Sequence, residues 1–153
     1  MPHLRLYVPE EWLREDFTRA TGFDARKLLD HLVQVVAGLR MENPARAAGN
    51  PDAPEMAPMI NLSNLKHAIV PLYHAHVGGD ESKGFLHATL AAGNDTPGRT
   101  AAVRRRAAQV LGDEIDKFVG DLPGLNSVTV HVQDIDRDRG YSTTAERKKA
   151  RAR

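Results

Sequence analysis

The chain has 153 residues, 41% hydrophobic and 27% charged, with 21 basic against 20 acidic side chains and a net charge of +1. This is one domain's worth of polymer with enough apolar mass for a core, and its charge balance argues against nucleic acid or an anionic membrane as main partner. Zero cysteines exclude disulfides and thiolate chemistry, no apolar run reaches the about 20 residues that span a bilayer, and the early Glu10, Glu11, Glu15 and Asp16 do not suit a signal peptide, so a reducing, cytoplasmic compartment is expected.

The chain opens MPHLRLYV. His3, Arg5 and Tyr7 alternate with Leu4, Leu6 and Val8, the period-two pattern of a strand buried on one face. Proline at position 2 gives no backbone donor to a ladder, which is tolerated at the first residue of a strand. If Met1 is removed, the same proline becomes a free secondary amine. Asp24 then caps a predicted helix, DARKLLDHLVQVVAGL, whose Leu28, Leu29, Leu32, Val35, Val36 and Leu39 recur at helical steps, with Gly38 near its end. Prolines 44, 51, 54 and 58 mark residues 40–65 as a long loop, above the usual ~12–15 residues, and therefore a flap or an unstructured segment.

HAIVPLYHAHV reads as a strand interrupted by Pro71, hence an edge strand or two short pieces. FLHATL, from Phe85, is another alternating strand. Thr96 as cap and Pro97 at the first helical position predict the start of a second helix, with Val103, Ala107, Val110, Leu111, Ile115, Phe118 and Val119 buried and Arg104, Arg105 and Arg106 facing water. SVTVHV, from Ser127, is the last strand. The order β-α-β-β-α-β predicts a two-layer α+β fold: a four-stranded mixed sheet with two helices on one face. The other face is left for oligomerisation to cover. Residues 1–141 form the single domain, and 142–153, ending ERKKARAR, a basic and disordered tail without the aromatic interleaving of a nucleic-acid site.

MPH before an apolar strand, the stretch FLHATLAAGNDTPGRTAAVRRRAAQVLGDEI and the segment VTVHVQDIDRDRGYS resemble the tautomerase superfamily, above all the 5-carboxymethyl-2-hydroxymuconate isomerases. The matching positions are Pro2-His3, then Phe85, His87, Thr89 and Leu90, then Gly98-Arg99, and Tyr141. The resemblance implies homotrimers of tautomerase-like subunits, no cofactor and no metal. It also implies an isomerase, of the kind used in aromatic degradation, that interconverts keto and enol or unsaturated forms of a small carboxylated substrate. Pro2 would be the general base. An α-amino group titrates at about 7.7–8.0, and burial or nearby cations lower that further, which suits a base that takes and returns one proton near neutrality.

Arg99 would hold the substrate's carboxylate from the start of the second helix. The family places arginines ahead of its second strand; this chain has Lys66-His67 there, with Arg40 further upstream as another cation. Tyr141 would line the pocket, in this subunit or a neighbour's. The rebuilt rim leaves substrate identity open, and with it two alternatives. One is a hydratase or dehalogenase of an unsaturated acid, in which the proline acts protonated as an acid. The other is a trimeric binding protein without chemistry. A rival reading takes His74, His76 and Glu81 as a cupin-like metal motif; its glycines are misplaced and no second motif follows. His31, His87 and His131 read as packed, hydrogen-bonded histidines.

Overall fold

The computed structural model describes residues 2–73, 77–80, 82–93 and 96–135. Met1, His74, His76, Glu81, Tyr141 and the basic tail lie outside the described residues. Strand β1 (His3–Pro9) buries Leu4, Leu6 and Val8 completely and turns His3, Arg5 and Tyr7 the other way. A 3₁₀ turn and the short helix α1 (Glu15–Thr21) lead to α2 (Ala25–Gly38). As expected, the Asp24 carboxylate caps α2, accepting from the backbone N–H of Arg26 at 2.9 Å and Lys27 at 3.3 Å.

The stretch read as a loop carries short elements. Strand β2 (Arg40–Glu42) and strand β3 (Met56–Pro58) pair antiparallel, enclosing the one-turn helix α3 (Pro44–Ala47). The physical reason lies in three apolar anchors that a count of prolines overlooks: Met41, Met59 and Ile60 are all buried in the main core. Strand β4 (Lys66–Leu72) follows and contains Pro71, which is accommodated because β4 is an edge strand paired only with β1.

Strand β5 (Gly84–Gly93), helix α4 (Ala101–Val119) and strand β6 (Leu125–Ile135) complete the chain. The sheet order is β4-β1-β5-β6, with β1 parallel to β4, β5 parallel to β6, and β1 antiparallel to β5. Two β-α-β halves are thus joined back to back through their first strands. Leu86, Ala88 and Leu90 of β5 continue the buried side of β1, and α2 and α4 pack over that side through Leu28, Leu32, Val36, Leu111 and Ile115. The predicted two-layer α+β architecture is the observed one.

Helix α4 begins later than expected. Thr100, not Thr96, is the cap, its hydroxyl accepting from the Val103 N–H at 3.3 Å. Gly98 between them has φ +87°, a left-handed turn that interrupts any helix begun at Pro97. The same glycine approaches the hairpin so closely that a Cβ on it would lie 3.0 Å from the Glu42 carbonyl oxygen.

At the far end of β1 an aromatic cluster organises residues 10–24. Trp12 stacks on Phe17 with ring centroids 5.5 Å apart and meets Phe23 edge-on at 6.0 Å. Gly84, at the head of β5, makes room for the indole: an added Cβ would fall 2.7 Å from Trp12 Cζ2 and 3.2 Å from Pro9 Cγ. Gly84→Ala should therefore destabilise the protein by about 1–3 kcal/mol, the scale of overpacking in a filled core. Urea denaturation checks this, and an unchanged midpoint would show that Trp12 can shift.

Candidate functional site

Pro2 precedes β1 and uses its carbonyl alone in the sheet, accepting the Lys66 N–H at 3.0 Å. A proline here forfeits no ladder bond. Continuing the alternation of β1 carries its half-buried ring to the side of Leu4 and Leu6, beneath the helices. The register runs Leu4 opposite His67 and Leu90, and His3 opposite Lys66 and Ala91, so one residue further along Pro2 stands level with Ala92. Ala92 in turn pairs with Asp134 on β6. The end of the sheet at Pro2 is therefore built from the start of β1 and β4 and the finish of β5 and β6.

The register separates two of the sequence candidates. Lys66, aligned with His3, belongs to the open face; His67, aligned with Leu4, belongs to the helix side with Pro2. Both are exposed. Arg40 turns back on the last turn of α2, donating from Nη1 to the carbonyls of Ala37 at 2.7 Å and Leu39 at 3.2 Å. It thereby satisfies carbonyls that the helix end leaves open.

Arg99 is half-buried, and its guanidinium is a junction. Nη1 donates to the Gly93 carbonyl at the end of β5, and Nη2 donates to the Met59 carbonyl and the Thr96 hydroxyl, each at 3.1 Å. It lies ahead of the α4 cap rather than inside the helix, and ties the hairpin region to the sheet.

The chain's sequence had pointed away from two further residues. Arg104, read as facing water, donates from Nη1 to Asp134 Oδ2 at 2.6 Å and to the Arg99 carbonyl at 2.9 Å; Arg105 and Arg106 alone of that run are exposed. Asp134 Oδ1 is buried with no hydrogen-bond partner among the described residues. One signal was available: Asp134 continues the helix-side parity of Val128, Val130 and Val132, where an acid needs a partner. Arg104 on α4 supplies it.

On the open face, His87 Nδ1 and the Thr129 hydroxyl are 2.6 Å apart, and the Tyr7 ring lies 5.4 Å from that of His87. Burial, and then His131, pull the His87 pKa below its ordinary value, favouring the neutral imidazole. His3 is likewise lowered, by burial first and then by Arg5. His31 on α2 lies 2.9 Å from Glu114 Oε2 on α4, a cross-helix tie.

Hollows adjoin these elements among the described residues. One of about 540 Å³ lies at the far end of β1 against Trp12, Arg19, Arg26, Ile69 and Pro71. A groove of about 420 Å³ runs between α2, α4 and the hairpin, and one of about 240 Å³ lies on the open face around His3, Arg5 and Tyr7. Pro2 is not among the residues lining these three. No group of three or more metal-ligating side chains occurs among the described residues.

Neither a protein-family model nor a curated protein sequence matches the chain. Solved structures do. A 5-carboxymethyl-2-hydroxymuconate delta-isomerase superposes with a TM-score of 0.60 over 100% of this chain and 93% of its own, at 15% identity. A 5-carboxymethyl-2-hydroxymuconate isomerase from Deinococcus radiodurans R1 gives 0.59 over 99% and 94%, at 18% identity. A fused 4-OT symmetric trimer gives 0.50 over 93% and 92%, at 14% identity. The fold of this chain is the tautomerase fold.

Replacing the junction tests how the site is held. Arg99→Ala removes the donors to Gly93, Met59 and Thr96 and should lower stability by about 1–3 kcal/mol, the range for bonds made by a charged group. Arg99→Lys should recover part of the loss, since an ammonium retains the charge without the planar fork. Equal stability of all three proteins in urea would remove Arg99 from this structural role.

Proposed function

We propose that this chain is a cofactor-independent isomerase of the tautomerase superfamily, acting on a small carboxylated keto or enol substrate as a homotrimer. The observation that carries the reading is the setting of Pro2. Its carbonyl anchors it to Lys66 while its nitrogen has no role in the sheet, on a fold shared with 5-carboxymethyl-2-hydroxymuconate isomerases. Once Met1 is removed, that nitrogen is a secondary amine on a rigid ring with a fixed lone-pair direction. Partial burial disfavours the ammonium form, which would keep the amine available as a base near neutrality.

The proton balance is simple. The Pro2 nitrogen takes a proton from an enol oxygen, or from the carbon beside a carbonyl, and the resulting ammonium returns it to the far carbon of the conjugated system. No electrons leave the substrate. His67, which shares the helix side with Pro2, would hold the carboxylate, and Lys66 would add its charge from the open face. Arg99 contributes positive charge and positions Met59 rather than gripping substrate alone. Arg40 is committed to the end of α2, and Tyr141 remains the residue to complete the rim. Charge developing on the substrate oxygen would be stabilised by these cations.

In a homotrimer a neighbouring copy would cover the side of the sheet that the helices leave bare. A four-stranded sheet with helices on one side needs its other side covered, and the fused 4-OT neighbour is a trimer. Sedimentation equilibrium should give three times the chain mass; a monomer at micromolar concentration would overturn the trimer.

One observation favours the non-catalytic binding protein as second reading: the Arg99 guanidinium donates to protein carbonyls, and the paired arginines of the family are replaced by Lys66 and His67. The Pro2 nitrogen decides between them. Intact-mass analysis should find Met1 absent, and Pro2→Ala should lower the rate of enol ketonisation of a 2-hydroxydienoate by at least about 100-fold, the usual share of a general base. Equal rates in the two proteins, or retention of Met1 in an active enzyme, would defeat the mechanism.

A further inference from the structure

Helices α2 and α4 run antiparallel, since His31 meets Glu114 in mid-helix while the last turn of α2 lies beside the first turns of α4. At that end they diverge, and the hairpin does not fill the gap. The groove left behind is floored by Val35, Met41, Met59, Val103 and Val110, with Met56 half exposed at its lip. Its charged residues are Arg40 and Arg106 against Glu42. At about 420 Å³ it falls within the ordinary size of small-molecule sites, and an apolar floor with few polar groups at the rim is their usual character. Thioether side chains adapt to the shape of an apolar guest.

Two details distinguish it from a packing fault. Gly38, the last residue of α2, lines the groove and is absent from the left-handed positions. A Cβ there would meet nothing within 4 Å, so a side chain at this position would extend into open space beside the groove. Arg106, at the rim, is exposed and makes no ion pair among the described residues, whereas Arg104 two positions earlier is committed to Asp134.

We propose that this groove binds a small amphipathic carboxylate, its hydrocarbon body along the methionine-lined floor and its anionic head at Arg106, with Arg40 adding to the field. Pro2 does not line the groove, so the site stands apart from the proposed isomerase centre. The two adjoin through Met59, whose side of the groove floor and whose carbonyl bond to Arg99 belong to one residue.

Isothermal titration of the full chain with sodium decanoate tests this. The wild type should bind one decanoate per chain, with a Kd on the order of 100 μM for a ligand of this size. Gly38→Leu fills the floor and Arg106→Glu reverses the charge at the rim; each should weaken binding at least about 10-fold. Neither should lower the thermal midpoint, because the first replaces a helical glycine and the second alters an exposed side chain. Decyltrimethylammonium, with the same body and the opposite head, should bind at least about 10-fold more weakly. Saturable binding absent from the wild type, equal affinity in both folded variants, or equal affinity for the two head groups would each overturn the proposal. Because the readout is binding rather than turnover, the result is independent of whether Pro2 is catalytic.

Discussion

The architecture rests on a strand that can bury only one of its faces. Leu4, Leu6 and Val8 of β1, with Leu86, Ala88 and Leu90 of β5, are inaccessible to water, and each large side chain so placed contributes about 1.5–3 kcal/mol of transfer free energy. A slip of one residue would exchange this set for His3, Arg5 and Tyr7, sending a guanidinium and an imidazole beneath the helices. Register is therefore determined by chemistry. Everything at the Pro2 end inherits it: Lys66 is bonded to the Pro2 carbonyl, His67 stands on the helix side, and Asp134 lies two strands away at the same level. The polar histidines of the opposite face are equally a consequence, which is why that face carries hydrogen bonds and ring contacts instead of a second apolar core.

A second layer of order comes from cations used as structural ties. The segment from Arg40 to Leu65 has little apolar mass of its own, and its anchors Met41, Met59 and Ile60 reach the core singly. Arg99 joins that segment to β5 and to the turn before α4, and Arg104 joins α4 to β6 through Asp134. A partly buried guanidinium is tolerable only when its donors are met, and carbonyl oxygens meet several of them at once.

What could be read in advance follows from how local each signal is. The alternation of residues 3–8, the helical stripe from Leu28 to Leu39 and the Asp24 cap depend on neighbours within one or two turns, and all appear as expected. Pro71 correctly marks an edge strand because its missing donor is a local fact with a global consequence. The hairpin at 40–58 escaped notice since its stability comes from Met41 and Met59 entering a core assembled elsewhere in the chain. The cap of α4 is Thr100 rather than Thr96 because Gly98 makes a left-handed turn between them, and the Thr96 hydroxyl accepts from Arg99 instead. Arg104 is the sharpest case: within RRR nothing local distinguishes it from its neighbours, and Asp134 lies 30 positions away.

The opening proline draws these threads together. As the first residue ahead of a strand it costs the sheet nothing, so fold stability alone neither requires nor forbids it. An alanine would accept the same place. What proline adds is a nitrogen of fixed direction whose basicity exists only when no residue precedes it. A residue that is neutral for packing yet specific in its chemistry is where a functional demand becomes visible in structure. Gly38 is a comparable position: it ends α2 without a left-handed backbone, and a larger side chain there would extend into the open space beside the groove.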